Sequence, residues 1–460
     1  MPDVNSACCG KHVRRGWSCG RLWLAVAVLP VLLLAGLRIT AAAGAPAADG
    51  LNQHPIVLHR PSKQILSALA LIGKRMFNDP RLSASGRQSC ASCHSPAHAF
   101  GPADGARMQV GGARMTVQGV RAIPSLAYLY RQEAFGIGPA GDDDTPVTLD
   151  TLAAQAQDVT RSAKSAGTVS TTAPLVPSGG LFWDGRADSL MDQAMGPMMN
   201  PAEMANANVA DAAARLVRAG YAEVLRPLFG DGLATNPELL FAEAVSAISR
   251  YQIEDSAFHR FDSRYDHWLE GKARLNAAQL RGLRLFNDPA KGNCAACHVS
   301  APGRDGTPPL FTDTEYEVLG VPRNRKLVVN RDPHYFDLGL CGPIRGDLAR
   351  QTQYCGMFLT PTLRNAARRG VYFHNGVYHT LEQVLTFYNL RDANPAMIYP
   401  RNAAGRIMLY DDLPQGYDAN IDMADGPFGQ KAGRQPPLSK RDIADIIAFI
   451  ETLDDGDRSQ

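Results

Sequence analysis

Two short segments each set two thiols and an imidazole at one fixed spacing. Cys90-Ala91-Ser92-Cys93-His94 and Cys294-Ala295-Ala296-Cys297-His298 each place two thiols three positions apart, with a His directly after the second. Thiols at that spacing form thioethers to the two vinyl groups of one haem, and the His supplies an axial nitrogen to the iron. Two motifs therefore call for two c-type haems and redox chemistry, with Cys90, Cys93, Cys294 and Cys297 as anchors and His94 and His298 as iron ligands. Zinc is the competing reading, but a structural zinc site needs four ligands. No Cys or His lies between His98 and His259, nor between His298 and His334, so neither motif has a second ligand pair at finger-like spacing.

The motifs share their surroundings. Leu71-Ile-Gly-Lys-Arg-Met-Phe-Asn-Asp-Pro80 precedes the first and Leu280-Arg-Gly-Leu-Arg-Leu-Phe-Asn-Asp-Pro289 the second, identical at seven of ten positions. Such a repeat marks two copies of one supersecondary unit. Leu66, Leu69, Met76 and Phe77, and Leu280, Leu283 and Phe286, fall at helical spacing, so each copy reads as a helix leading into a haem-binding loop.

The chain ahead of the first repeat has the order of an export signal. Lys11, Arg14, Arg15 and Arg21 precede an apolar run from Leu22 to Leu37, and small residues follow to Ala45. That order predicts a leader over residues 1–45, cleaved near Ala43 or Ala45, and a periplasmic protein; an uncleaved membrane anchor is the alternative. Of nine Cys, three lie in the leader and four hold haem, leaving Cys341 and Cys355, which an oxidising compartment lets close as a disulfide. Of 47 Lys and Arg five lie in the leader, and of 45 Asp and Glu one does, leaving 42 against 44 and a formal net of −2. No basic stripe suggests nucleic acid.

The body reads as mainly α, with two cytochrome c-like domains, each holding one covalent haem: residues 46–250, including a loop-rich excursion at 136–180, and residues 251–460. Amphipathic patterns run from Asn208 to about Arg260 and from Asp442 to Leu453. Strand signals are sparse.

Between the haem motifs stand Leu181-Phe182-Trp183-Asp184-Gly185-Arg186-Ala187, Gln193, Pro197 and Asn200-Pro201-Ala202-Glu203-Met204, and after the second motif Pro361-Thr-Leu-Arg-Asn365 and Tyr372-Phe-His-Asn-Gly376. In this order the chain, from about Leu66 to Leu453, resembles the bacterial di-haem cytochrome c peroxidase and MauG family. The resemblance implies a distal pocket on the N-terminal haem formed by Glu203, Gln193 and Pro197, where peroxide binds. A carboxylate there can carry a proton from one peroxide oxygen to the other, which makes Glu203 the acid–base candidate. It also implies that Trp183 lies between the haems, where an indole shortens the electron path, and that His374 belongs to a haem environment.

The distal ligands are where subfamilies part. In the family's peroxidases a His caps the N-terminal haem; this chain has Val110 at that place and no His from Gly101 to Phe258. The N-terminal haem is therefore expected to be open, with His98 the main competing ligand and Met108 and Met115 weaker ones. For the C-terminal haem, alignment puts Tyr388 where the peroxidases carry Met, as in MauG-like members. A phenolate stabilises ferric and higher states, whereas Met raises the potential. Met357, Met397 and Met408 are the competing ligands. Calcium, often bound between the haems in this family, stays possible but unassigned: Tyr128 stands where an Asn would coordinate it, while backbone carbonyls and water could still serve.

The expected activity is reduction of hydrogen peroxide at the N-terminal haem, with electrons relayed through the C-terminal haem from a small periplasmic cytochrome c or cupredoxin. A MauG-like high-valent di-haem oxidase of a protein or organic substrate is the alternative, and a non-catalytic di-haem electron carrier a second one. The sequence leaves the oligomeric state open.

Overall fold

The structure, a computed structural model, describes residues 50–103, 110–139 and 175–457. The expected leader, Met108 and residues 140–174 of the excursion lie outside them. Helices α1 (Ala68–Phe77), α2 (Leu190–Met199), α3 (Val209–Arg218), α4 (Tyr221–Phe229), α5 (Pro237–Glu254), α6 (Arg264–Leu269), α7 (Ala277–Asn287), α8 (Leu381–Leu390) and α9 (Lys440–Ile450) are linked by loops, a single α-helical turn at Cys90–Cys93 and short 3-10 turns. Among the described residues, no helix is long and apolar enough to cross a membrane.

Both copies of the repeat fold as helices, α1 and α7. Ser67 caps α1 by accepting from the Ala70 N–H at 3.1 Å, and Asn276 caps α7 in a reciprocal box with Gln279. The repeated glycine explains its own identity at both places. A methyl group on Gly73 would collide with the Ala247 carbonyl of α5, and one on Gly282 with the Asp445 carbonyl of α9. Each repeat helix thus crosses its partner helix at a glycine, backbone against backbone.

Two main apolar clusters result. One gathers Met76, Phe77, Phe100, Leu216, Leu240, Val245 and Phe258; the other gathers Phe286, Phe311, Leu385, Ile446, Phe449 and Leu453. The final helix begins at Lys440, capped by Ser439 with Asp442, and tightens into a 3-10 turn over Glu451–Leu453 rather than continuing as α-helix.

The excursion at 136–180 departs from expectation at its ends. Gly136–Pro139 (β3) pairs antiparallel with Leu175–Ser178 (β4), Gly136 opposite Ser178 and Pro139 opposite Leu175. Chain that leaves and returns at one place satisfies its backbone donors and acceptors by pairing with itself. Two further ladders, Val110–Gly111 (β1) with Val117–Gln118 (β2) and Tyr316–Glu317 (β5) with Phe358–Leu359 (β6), are each two residues long.

Candidate active site

The two motif histidines are held alike. His94 Nδ1 lies 2.9 Å from the Phe100 carbonyl oxygen and His298 Nδ1 lies 2.9 Å from that of Phe311. A proton on Nδ1 donated to that carbonyl leaves Nε2 as the bare nitrogen a metal requires. Burial pulls both imidazoles down to about 4 against the opposing pull of the carbonyls, so both are neutral. Phe100 and Phe311 are both buried and both left-handed, with φ of 55° and 57°, a conformation costly for a bulky residue. Each is edge-packed on the repeat phenylalanine of its own half, Phe77–Phe100 at 6.3 Å and Phe286–Phe311 at 6.1 Å. The repeat helix thereby fixes the residue that fixes the ligand. Sequence reading did not find Phe100 or Phe311; they stand at different distances from their motifs, so no common spacing marks them.

The four motif thiols are unpaired, while Cys341 and Cys355 are joined as a disulfide. Burial pushes the Cys90, Cys93 and Cys294 thiols up to about 12. Neutral, unpaired thiols beside a neutral imidazole are the donor set that thioether attachment needs.

Cys90, Cys93 and His94 open on a narrow crevice walled by Gln193, Ala194, Pro197, Glu203 and Met204. These distal residues come from α2 and the turn after it. Pro197 sits inside the helix, and having no N–H it leaves the Gln193 carbonyl without its intrahelical donor. Asn200 ends α2 and turns the chain, and its Nδ2 donates to Glu203 Oε1 at 2.6 Å. Burial raises the Glu203 carboxyl above its ordinary value, opposed by the Asn200 hydrogen bond and the charge of Arg186. Two further amides were not legible in the sequence: Gln88 and Gln252 wall the same crevice, each with a buried side-chain oxygen that finds no partner among the described residues. Buried amides without partners are costly, and a bound group or its water satisfies them. Neither His98, whose Nδ1 lies 3.3 Å from Ser95 Oγ, nor Met115 walls this crevice.

The second motif opens on a larger cavity of about 260 Å³, whose wall includes Cys294, Cys297, His298, Tyr388, Phe428, Trp183 and His374. Among the described residues no methionine is in that wall; Met397 and Met408 are exposed, and Met357 packs in a separate cluster with Tyr316 and Leu340. Tyr388 projects from α8, stacked on Phe428 with ring centroids 5.3 Å apart. Burial pushes its phenol well up, as do the adjacent Cys297 and Cys294. His374 stacks on Phe358 at 3.5 Å, with Nε2 3.8 Å from Asp412 Oδ2.

Gln193 belongs to both walls. Beside it, the loop carrying Trp183 is pinned by a charge network centred on a buried carboxylate. Asp184, fully buried, accepts from Arg121 Nη1 and from Arg186 Nη1, each at 2.7 Å, and its carbonyl accepts from Arg345 Nη1 at 2.8 Å. Arg121 also grips Asp337 through Nε and Nη2 at 2.6 and 2.8 Å. The Asp and Arg of the Phe-Trp-Asp-Gly-Arg-Ala segment thus hold its Trp in position.

Among the described residues no group of three or more His, Cys, Asp or Glu side chains is arranged for a metal ion. Tyr128 instead donates its hydroxyl to the Asp455 carboxylate at 2.6 and 2.7 Å.

A mainly helical body with two thiol–thiol–imidazole sites, one beside a buried carboxylate and the other beside a phenol, defines a di-haem c-type oxidoreductase. The di-haem cytochrome c peroxidase family model matches residues 67–274. Methylamine utilization protein MauG of Paracoccus denitrificans (strain Pd 1222) is 34% identical over 399 residues, 84% of this chain and 89% of that protein. Cytochrome c551 peroxidase of Nitrosomonas europaea is 28% identical over 321 residues, 69% of this chain and 71% of that one. The crystal structure of the diheme peroxidase BthA from Burkholderia thailandensis E264 superposes with a TM-score of 0.70 at 33% identity, over 88% of this chain and 93% of that one. The chain belongs to the di-haem cytochrome c peroxidase and MauG family. It is an oxidoreductase of a family that carries two haems.

Proposed function

We propose that the protein reduces hydrogen peroxide at the N-terminal site and draws the electrons through the C-terminal one. The observation that carries this reading is the buried Glu203 carboxyl in the crevice of Cys90, Cys93 and His94. When bound, the haem supplies the electrons and the Lewis-acidic iron that peroxide cleavage needs. Asn200 holds Oε1 of Glu203, leaving Oε2 to take the proton from one peroxide oxygen and return it to the other, which departs as water. Gln193 and Pro197 exclude bulk solvent and orient the bound peroxide. In this reading Trp183 and Gln193 carry the electron path between the two sites, and His94 and His298 would hold the irons through Nε2.

Two cytochrome c-like domains, one around each apolar cluster, are part of this reading, as are export to the periplasm and a small cytochrome c or cupredoxin as electron donor. The Cys341–Cys355 disulfide supports an oxidising compartment. Steady-state oxidation of a reduced small cytochrome by peroxide tests the activity. Peroxide-dependent turnover lost in Glu203→Gln is expected; turnover indifferent to that change overturns the role of Glu203.

A second reading, MauG-like oxidation of a protein or organic substrate, is favoured by Tyr388. A phenolate as distal ligand of the second haem suits stored oxidising equivalents more than acceptance of electrons from a high-potential donor. Tyr388→Met tests it: the methionine-to-iron charge-transfer band should appear and the second potential should rise. An unchanged spectrum removes Tyr388 from the iron.

A further inference from the structure

One tyrosine outside both cavities joins the wall of the larger one to the surface. Gly320 is part of that wall, at φ 64°, and the ring of Tyr410 packs so closely on it that a methyl group there would collide with the ring. Tyr410 is half-buried, and its neighbours Leu409 and Met423 are exposed. Its hydroxyl donates to Asp392 Oδ1 at 3.3 Å and lies 3.7 Å from Met423 Sδ. Asp392 is held in place by Arg391, through Nε at 3.0 Å and Nη2 at 2.7 Å, and by the Gly429 N–H at 2.9 Å. The Arg391 guanidinium lies 3.7 Å from the Phe428 ring centroid, and Phe428 is the ring stacked on Tyr388. Two routes, the Gly320 backbone and the Phe428–Arg391 stack, therefore lead from the cavity to one phenol.

We propose that Tyr410 is a one-electron relay between the second haem site and a reductant at the protein surface. This rests on the peroxide-dependent reading above. In the first step Tyr410 gives one electron to the haem centre oxidised by peroxide, and its phenolic proton passes to Asp392 Oδ1. In the second, a one-electron donor at the surface reduces the tyrosyl radical, and Asp392 returns the proton. A phenol is hard to oxidise unless its proton has somewhere to go, and that requirement separates Tyr410 from its neighbour. Tyr399 lies 5.5 Å from it, ring to ring, but its hydroxyl donates to the Gly320 carbonyl, which is no base.

The test uses the full holoprotein, mixed with one equivalent of hydrogen peroxide, freeze-quenched, and read by electron paramagnetic resonance beside the optical haem spectrum. The wild type should give a tyrosyl radical that Tyr410→Phe abolishes and Tyr399→Phe keeps, with Asp392→Asn lowering its yield. Ring-deuterated tyrosine in the unmutated protein should narrow the same signal, which guards against a variant that fails to fold. A radical that survives Tyr410→Phe or ignores deuteration overturns the relay. So does the absence of any radical when the haem spectrum does respond. A haem spectrum that peroxide leaves unmoved overturns the peroxide-dependent reading, and the relay with it.

Discussion

The Trp183 indole donates its Nε1–H to the carbonyl oxygen of Ala122 at 2.8 Å. Ala122 in turn donates its N–H to the His374 carbonyl at 2.7 Å, so one residue links the indole to the backbone of the Tyr-Phe-His-Asn-Gly segment. Trp183→Phe keeps an aromatic ring but loses that bond. The expected outcome is a modest loss of stability, about 1 kcal/mol from the hydrogen bond, together with slower electron passage between the two sites, read by stopped-flow mixing of the half-reduced protein with peroxide.

Glu203 sets a second expectation. Its carboxyl titrates above the ordinary glutamate value because it is buried. Below that raised value it is protonated and cannot take the peroxide proton, so activity should fall on acidification at a pH above the usual carboxylate range. Glu203→Gln should lower kcat/KM by about 10²- to 10⁴-fold, the ordinary worth of positioned acid–base catalysis, and abolish that acid limb. A pH profile of initial rates checks both.

Phe100 and Phe311 make a third. Each is a core ring whose carbonyl fixes a motif histidine. Phe100→Ala or Phe311→Ala should cost about 3–5 kcal/mol in stability through the cavity left behind. Each should also perturb the spectrum of the haem in its own half more than the other. Thermal melting and optical spectra of the two holoprotein variants separate these effects.

Much of this was written locally in the chain. The haem motifs, the repeat and the helices beside it follow from spacing alone, because thioether chemistry and helical periodicity are both short-range. The repeated glycine was visible as identity, yet its purpose was not, since it depends on Ala247 and Asp445 far along the chain. The same holds for Pro361-Thr-Leu-Arg-Asn365. Arg364 pairs with Asp266, 98 positions away, and Asn365 donates to Asp455, 90 positions away. The Gln88 and Gln252 amides were unreadable because Gln carries no spacing signature, and only burial beside the crevice distinguishes them. The β3–β4 ladder was missed because Gly and Pro in Gly136–Pro139 look like loop until a partner strand is beside them.

The Arg364–Asp266 pair carries the last prediction. Neither side chain is exposed, and the two bonds are bidentate, Nη1 to Oδ2 at 2.9 Å and Nη2 to Oδ1 at 2.7 Å, with Ser263 also donating to Asp266 at 2.7 Å. Burial alone would raise the Asp266 carboxyl, but the Arg364 charge and these hydrogen bonds overcome it and hold it below the ordinary range. Its contribution to stability is therefore complete above the unfolded-state carboxylate pKa and is lost as the pH falls toward the depressed folded value. Asp266→Asn leaves a buried guanidinium without its counter-charge, which should cost about 3–5 kcal/mol. Because the variant has no carboxyl to protonate at this position, its stability should also decline less steeply in acid than that of the wild type. Denaturant melts across the acidic range measure both, and equal acid slopes in the two proteins would mean that Asp266 is not the group whose protonation loosens the fold.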